Sequence, residues 1–265
     1  MAIQRRYGWK RDLPGRYPQY APLRGARRNF KLPDNVDFRK ILRAFPVQDQ
    51  GDTSSCTAHG ITGALGFLEL KELAGKSGPE QFDDGKFDPI SRLFVYWNER
   101  AMEGDTDQDA GAQIADGVAS LEHFGFCRES LWPWTPASTL FKAPGRAAYA
   151  EGARHRLRIG TKLDNTDEGQ LLECLASGHP FVIGIEVFPS FESDAVAETG
   201  SVPMPGPGEA SIGGHCMLCV GYDLANRSFL LRNSWGEEWG VQGYCTVNFE
   251  YLTSASLASD FWTLR

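Results

Sequence analysis

VQDQGDTSSCTAHG, residues 47–60, holds a glutamine six residues before a cysteine, with turn-forming residues between the two. Apolar side chains at helical spacing follow the cysteine. The pattern predicts a helix from about Ser55 to Ala74, with Ser54 or Ser55 as its N-cap and Gly75 past its end. A thiol at the start of a helix is either structural or reactive, and the rest of the chain has to decide between the two.

Cys56 lies at the start of this predicted helix, where unpaired N–H groups and the helix dipole favour a negative charge. A free thiol has a pKa of about 8.5 and needs such help to become a thiolate nucleophile at neutral pH. A histidine is the partner that this chemistry requires, because an imidazole near pKa 6.5 can take the proton and later return it.

Five histidines are candidates for that partner: His59, His123, His155, His179 and His215. His215 opens the predicted strand GGHCMLCVGYD, and the block RNSWGEEWG follows it. In that block Asn233 can hold the imidazole in one tautomer, and Trp235 can shield their hydrogen bond from water. His59 lies three residues after Cys56 and is interpreted as a helical residue packed under the site.

The two halves of the chain differ in their predicted secondary structure. Further helices are predicted across SRLFVYWNERA, DAGAQIADGVASLEHFG and DEGQLLECLASG. Strands are then predicted at PFVIGIEVF, HCMLCVGYD, SFLLRNSW, GYCTVNFEY and DFWTL. Helices first and antiparallel strands second indicate an α+β chain with two lobes, and a cleft between lobes is the usual place for a site.

Three blocks of this sequence resemble those of the papain family of cysteine peptidases, in its bacterial, xylellain-like type. QGDTSSC resembles the family's Gln-to-Cys block, GGHCMLCVGYD its His strand and RNSWGEEWGVQGY its Asn block. The resemblance covers nearly the whole chain from about residue 33. It implies a papain-like two-lobe fold, with a helical lobe over about 55–140, an antiparallel β-barrel-like lobe over about 141–265, and the site in the cleft between them.

The resemblance also implies catalytic roles for four residues. Cys56 would attack a peptide carbonyl and form an acyl-enzyme, with His215 as the base and Asn233 as its orienting partner. Gln50 would donate a side-chain N–H to the oxyanion. One departure is Thr57, which stands where eukaryotic members have Trp. There are two alternatives to a cysteine peptidase: a catalytically silent papain-fold binding protein, or an acyltransferase with the same triad.

Substrate-binding residues are expected by the same resemblance along the rim of the cleft. They are Gly111, Ala112, Gly214 and Trp235. The expected partner is a peptide or protein substrate, with no nucleic acid, no membrane and a monomeric chain. No cofactor is expected. The Cys216-x-x-Cys219 pair is too small for a zinc site, and the acidic loop EGDTDQDAG lacks the Gly and Glu positions of a calcium loop.

The first 31 residues carry nine Lys or Arg and one acid, Asp12, so this segment has a charge of +8 and the remainder −15. A solvated tail or a nucleic-acid arm is the simpler interpretation. The five aromatic residues of the segment favour one that lies on the acidic body. We therefore predict that residues 1–32 form a pro-segment-like arm that packs across or beside the cleft of a peptidase domain over 33–265 and partly blocks it, as in a zymogen.

Cellular location is left open by the sequence. The opening MAIQRRYGWK has no apolar stretch typical of a secretory signal, so a cytoplasmic protein or one exported without a leader are both consistent with it. Six cysteines are too few for a disulfide scaffold, and a mostly reduced set is expected.

Overall fold

The computed structural model describes residues 5–17, 31–77, 87–157 and 160–265. Its helices are α1 (Arg39–Leu42), α2 (Cys56–Ser77), α3 (Arg92–Glu103), α4 (Ile114–His123), α5 (Pro136–Thr139), α6 (Arg146–Gly152), α7 (Glu168–Ala176), α8 (Asp194–Thr199) and α9 (Phe249–Thr253), with a 3₁₀ turn at Pro189–Glu192. Its strands are β1 (Trp9–Lys10), β2 (Asn35–Asp37), β3 (Ala112–Gln113), β4 (Gly160–Leu163), β5 (Phe181–Val187), β6 (Ser201–Val202), β7 (Gly213–Asp223), β8 (Ser228–Arg232), β9 (Tyr244–Asn248) and β10 (Ala258–Leu264).

One large sheet organises the second half of the chain. Its strands follow the order β4-β10-β5-β7-β8-β9-β6, and β2 pairs with β7 outside that path. All of these pairs are antiparallel except β6 with β9. The long helices α2, α3 and α4 precede the sheet in the chain. This arrangement confirms the predicted α+β class, and helices followed by a mostly antiparallel sheet are what the predicted papain-like two-lobe fold requires.

Small residues on α2 allow this helix to lie directly on β7. A Cβ atom at Gly60 would be 3.0 Å from the sulfur of Cys216, and one at Gly63 would be 3.3 Å from Leu218. Larger side chains would force helix and strand apart, because protein interiors are close-packed. The contact brings the N-terminus of α2, with Cys56, to the start of β7, where His215 lies.

Several helix boundaries differ from the predictions. The helix predicted from about residue 109 begins at Ile114, because Gly111 has a φ of +74° and the next two residues form β3. The sequence does not predict the short helices α1, α5, α6, α8 and α9. The last of these begins within the segment predicted as the strand GYCTVNFEY, where the observed strand ends at Asn248. The predicted cap of α3 is present, since the Ser91 hydroxyl accepts a hydrogen bond from the N–H of Phe94 at 3.1 Å.

Parts of two predicted segments lie outside the described residues: positions 1–4 and 18–30 of the arm, and positions 78–86 of the loop predicted after α2. All six cysteines are described, and all are unpaired and buried. Within the described ranges, the structure contains no helix with the length and apolar character needed to cross a membrane.

Candidate active site

Cys56 begins α2 and is fully buried. The backbone groups of Cys216 and Gly8 act on its sulfur and lower the pKa of the thiol, against the larger effect of burial. Cys216 directly follows His215 on β7, so the strand that carries the predicted base also contacts the thiol. Gly8 belongs to residues 5–17, the part of the N-terminal arm whose contacts are given below. The thiol therefore lies between the helix that carries it, the His strand and the arm.

His215 and Asn233 form the buried pair that the sequence predicts. His215 Nε2 and Asn233 Oδ1 are 2.7 Å apart, and the backbone N–H of Ser234 also donates to Oδ1 at 2.8 Å. The indole of Trp235 stacks on the imidazole, with ring centroids 4.9 Å apart and planes 29° apart. The other ring nitrogen, Nδ1, is buried and has no hydrogen-bond partner among the described residues. That nitrogen is the one left to exchange a proton with a thiol.

Gln50 is held with its amide in one orientation. Its Oε1 accepts a hydrogen bond from the Ser234 hydroxyl at 2.6 Å. Its Nε2 donates to the carbonyl of Thr53 at 2.7 Å and to the carbonyl of Arg6 at 3.2 Å. The side chain thus presents an N–H to a backbone carbonyl in the cleft, which is the geometry required to stabilise an oxyanion. In this structure that carbonyl belongs to the arm.

The arm also contacts the predicted rim of the cleft. The carbonyl of Gly8 accepts a hydrogen bond from the N–H of Ala112 at 2.8 Å, and β1 pairs in parallel with β3. A Cβ at Gly111 would overlap with the Gly8 carbonyl, and one at Gly214 would lie 2.6 Å from the indole of Trp9. Close approach of the arm at these points requires residues without a side chain.

Two further arm residues pack against the imidazole of His215 and the indole of Trp235. The ring of Tyr7 meets His215 edge-on, with centroids 6.2 Å apart, and its hydroxyl donates to Glu192. The guanidinium of Arg5 lies 4.9 Å from the centroid of a Trp235 ring. All four predicted rim residues, including Trp235, therefore contact the arm.

Comparison with known proteins identifies the family. The family model described as "papain family cysteine protease" matches residues 122–261. An uncharacterized peptidase C1-like protein of Acanthamoeba polyphaga mimivirus is 35% identical to this chain over 284 residues, covering 99% of the chain and 88% of the viral protein. The chain belongs to the papain family of cysteine proteases. It is a hydrolase of the papain-like type.

Structural relatives agree with this family assignment. The crystal structure of xylellain, a cysteine protease from Xylella fastidiosa, has a TM-score of 0.84 and 31% identity, covering 100% of this chain and 99% of xylellain. Digestive procathepsin L 3 of the Tenebrio molitor larval midgut has a TM-score of 0.66 at 19% identity, covering 92% and 74% of the two chains, and supports the fold alone. Because the relative that is 35% identical to this chain is a viral protein, the bacterial type stays a prediction.

The papain-family site is electrically neutral under the arm. Burial raises the pKa of the Cys56 thiol to about 12, although the backbone groups of Cys216 and Gly8 act in the opposite direction. Burial also lowers the pKa of His215 to about 4, against the hydrogen bond to Asn233, which raises it. At neutral pH the pair is thus a thiol and an uncharged imidazole, because the covered site excludes the water that would solvate an ion pair.

His59 is occupied by other contacts. Its Nδ1 lies 3.0 Å from the carbonyl of Ser55 and its Nε2 lies 3.3 Å from the guanidinium of Arg92. Its ring meets that of Trp134 edge-on, with centroids 4.9 Å apart. Both nitrogens have structural partners, which agrees with the interpretation of His59 as a packed residue.

Two acidic residues near the papain-family site were not predicted from the sequence. Glu99 is fully buried and accepts a hydrogen bond from the hydroxyl of Thr57 at 2.6 Å, and burial raises its pKa well above its usual range. Asp109 accepts hydrogen bonds from the N–H of Ser54 at 3.0 Å and from the hydroxyl of Tyr96 at 2.5 Å. The two carboxyl groups support the loop before Cys56 and the helix turn after it.

The acidic residues of the loop EGDTDQDAG bind other parts of the chain. Asp109 binds the segment before Cys56, as described, and Asp105 forms an ion pair with Lys10 of the arm at 3.1 Å. In the part of the chain that the structure covers, no three His, Cys, Asp or Glu side chains are grouped as metal ligands.

Proposed function

We propose that this papain-family protein hydrolyses peptide bonds with Cys56 as nucleophile, His215 as general base and acid, and Asn233 as the residue that orients the imidazole. The buried hydrogen bond of 2.7 Å between His215 and Asn233 carries the proposal, because it leaves Nδ1 unpaired on the strand that contacts the thiol. An imidazole fixed by one nitrogen and free at the other is the arrangement that nucleophilic catalysis requires.

The proposed reaction has two halves. The Cys56 sulfur bonds to the peptide carbonyl carbon, the C–N bond breaks, and the amine leaves with the proton that His215 took from the thiol. A water molecule then gives a proton to His215 and its oxygen bonds to the acyl carbon; the bond between that carbon and the Cys56 sulfur breaks, the carboxylic acid leaves, and the proton on His215 returns to the sulfur. The Gln50 amide and the Cys56 backbone N–H would stabilise both oxyanions, and loss of one such donor typically costs about 2.7–4 kcal/mol of transition-state stabilisation.

The same proposal includes an inhibited resting state, held by the arm. Two groups that a substrate would use are bound to the arm instead: the Nε2 of Gln50 donates to the Arg6 carbonyl, and the N–H of Ala112 donates to the Gly8 carbonyl. The backbone of Gly8 also acts on the Cys56 thiol. Burial of the covered site raises the pKa of the Cys56 thiol, and burial together with Arg5 of the arm lowers the pKa of His215, so the reactive ion pair is disfavoured. Displacement of the arm would therefore free binding groups and nucleophile together.

A thiol-directed epoxide tests this function in the full chain carrying Gly8→Ala, because a methyl group at residue 8 would overlap with the carbonyl of Ser54 and displace the arm from the thiol. The inactivator is expected to add once to Cys56, and peptide hydrolysis is expected to fall in proportion to the fraction modified. Cys56→Ala should lose both the modification and the hydrolysis, whereas Cys127→Ala, which changes a buried cysteine in a separate cluster, should keep both. Measurable hydrolysis that Cys56→Ala leaves unchanged, in folded proteins, would reject Cys56 as the nucleophile.

A further inference from the structure

A chain of hydrogen bonds connects His59, in the first turn of α2, with the loop that precedes Cys56. The Nδ1 of His59 lies 3.0 Å from the carbonyl oxygen of Ser55 and 3.3 Å from its hydroxyl. The hydroxyls of Ser55 and Thr53 are 2.7 Å apart, and the Thr53 hydroxyl donates to the carbonyl of Gln50 at 2.8 Å. The chain therefore begins at a buried histidine and ends on the main chain of the proposed oxyanion residue.

Each proton in this chain has a defined position. The Thr53 hydroxyl donates to a carbonyl, so its oxygen can only accept from Ser55, and the Ser55 proton is then used as well. The Nδ1 of His59 must therefore carry a proton, and its contact with the Ser55 carbonyl requires the same independently. The Nε2 of a neutral imidazole is then an acceptor, and it lies 3.3 Å from the guanidinium of Arg92, which can only donate. All of the bonds thus run in one direction, from Arg92 toward Gln50.

The surroundings of His59 keep its imidazole neutral, as this direction requires. The ring is buried, and burial together with the positive charge of Arg92 lowers its pKa well below its usual range. Both influences disfavour the charged form. A protonated ring would direct a second N–H at the guanidinium and break the chain there. His59 is therefore suited to a fixed hydrogen-bonding role and not to proton transfer at neutral pH.

Arg92 gives the chain a fixed starting point on α3. Its Nη2 and Nε donate to the two carboxylate oxygens of Glu129 at 2.6 and 3.3 Å. Its guanidinium also lies 4.5 Å from the centroid of a Trp134 ring, and Glu129 accepts a hydrogen bond from the N–H of Trp134 at 3.0 Å. A planar guanidinium held at two points has a defined orientation. The Nη1 that donates to His59 is therefore fixed in direction.

Thr53 holds Gln50 at the other end of the chain. In addition to the hydroxyl bond, the Thr53 N–H donates to the Gln50 carbonyl at 3.4 Å, and the Thr53 carbonyl accepts from Nε2 of Gln50 at 2.7 Å. The position of Thr53 thus affects both the backbone and the side-chain amide of Gln50. Ser55 directly precedes Cys56, whose N–H is the second proposed oxyanion donor. A shift of this loop would move both donors, and a displacement of about 1 Å in a site can cost about 100-fold in rate.

From these contacts we infer that His59 is a positioning residue for the oxyanion site. It links the fixed guanidinium of Arg92 to Thr53. Through Thr53 it keeps the N–H groups of Gln50 and Cys56 directed at one point. The role rests on the proposed peptidase function, and it gives His59 no contact with the substrate. Its effect is expected on kcat more than on KM, because the oxyanion develops only as the substrate reacts.

Substitutions at His59 test this role in the full chain carrying Gly8→Ala, in which the arm is displaced. His59→Leu removes both hydrogen-bonding nitrogens, and kcat for a fluorogenic peptide is expected to fall at least about tenfold while KM changes less than about twofold. His59→Gln keeps one acceptor and a donor, and its kcat is expected to lie within about threefold of the parent value. His123→Leu is the matched control, because His123 is exposed at the end of α4, and it should leave kcat unchanged.

Two measurements separate a role at the oxyanion site from a role at the nucleophile. A peptide aldehyde forms a bond between its carbonyl carbon and the Cys56 sulfur, and its oxygen then occupies the oxyanion site. Its affinity should fall together with kcat in His59→Leu. Alkylation of Cys56 by iodoacetamide depends on the thiolate and forms no oxyanion, so its rate should stay within about twofold of the parent rate.

Thr53→Val interrupts the same chain at its other end. It keeps the shape of the side chain and removes the hydroxyl that links Ser55 to Gln50. Its loss of kcat and that of His59→Leu should not add in the double variant, since both substitutions break one chain. Thermal unfolding verifies that each variant is folded. Should His59→Leu fail to fold, Thr53→Val provides the same comparison of kcat with alkylation rate.

The positioning role is overturned if the Gly8→Ala parent cleaves peptides and His59→Leu keeps its kcat. It is also overturned if His59→Leu loses kcat and alkylation rate in equal measure, or if the losses of the two substitutions add. In each of these cases the peptidase function still stands. No cleavage by the folded parent, although its Cys56 is alkylated, would instead overturn the peptidase function and the positioning role with it.

Discussion

Gly8→Ala is expected to release the arm from the cleft without disturbing the body. A methyl group at this position would overlap with the backbone carbonyl of Ser54. The Ser54 backbone is fixed, because its N–H donates to both carboxylate oxygens of Asp109, at 3.0 and 3.1 Å. The overlap is therefore relieved by movement of the arm and not by movement of the loop before Cys56.

The structure allows an order-of-magnitude estimate of the effect. Displacement at residue 8 breaks the hydrogen bond from Ala112 to the Gly8 carbonyl, 2.8 Å long, and the bond from Gln50 to the Arg6 carbonyl, 3.2 Å long. Each hydrogen bond contributes about 1 kcal/mol to the stability of the closed state, in which the arm lies in the cleft. Loss of both therefore destabilises the closed state by about 2 kcal/mol relative to the open state. At 1.4 kcal/mol for each factor of ten, the fraction of open molecules rises about 30-fold.

Two rates measured on the full chain report this change. The kcat/KM for a fluorogenic peptide and the second-order rate constant for epoxide addition to Cys56 should both rise about 30-fold in Gly8→Ala. Gly145→Ala makes the same chemical change at a position where the added methyl group meets nothing, and it should leave both rates unchanged. If Gly8→Ala is folded and neither rate exceeds that of wild type, the arm does not inhibit through these contacts.

Three other predictions follow from the same contacts. His215→Ala should cost more activity than Asn233→Ala, because Asn233 orients the ring and transfers no proton; equal losses in folded proteins would contradict these roles. Raising the salt concentration should increase the activity of wild type several-fold, because ion pairs such as Lys10 with Glu103 hold the arm, and Gly8→Ala should respond less. Alkylation of Cys56 in wild type should stay slow until strongly alkaline pH, because burial raises the thiol pKa to about 12 and the thiolate forms only as the pH approaches that value. Alkylation of Gly8→Ala should begin at a lower pH, and identical pH profiles for the two proteins would argue against a covered thiol.

The elements that carry the proposed catalytic residues could be predicted from the sequence. The helix after Cys56 and the strand after His215 each show their own apolar pattern, so both were placed within a few residues of their observed bounds. His215 and Asn233 lie in two neighbouring sequence blocks that each strongly resemble blocks of a known family. Their hydrogen bond could therefore be expected from the sequence. These features depend on local sequence or on motifs, which is why they were accessible before the structure.

Other parts of the site depend on contacts between residues far apart in the chain. The hydroxyl that fixes the Gln50 amide comes from Ser234, which is 184 positions away. The carboxyl group under Thr57 comes from Glu99, 42 positions away, and nothing in the local pattern of α3 distinguishes it from a solvent-exposed acid. The pairing of Trp9 with Ala112 likewise joins two-residue strands, too short to give a periodic signal.

The arm and the cleft that it occupies belong to one chain. The hydrogen bond between Gly8 and Ala112 is thus intramolecular, and the fraction of molecules in which the arm is bound depends on an effective concentration that dilution does not change. A cut within residues 18–30 would convert the arm into a separate ligand with an ordinary dissociation constant. From that moment the cut protein would gain activity on dilution, whereas the intact chain would remain equally inhibited at every concentration.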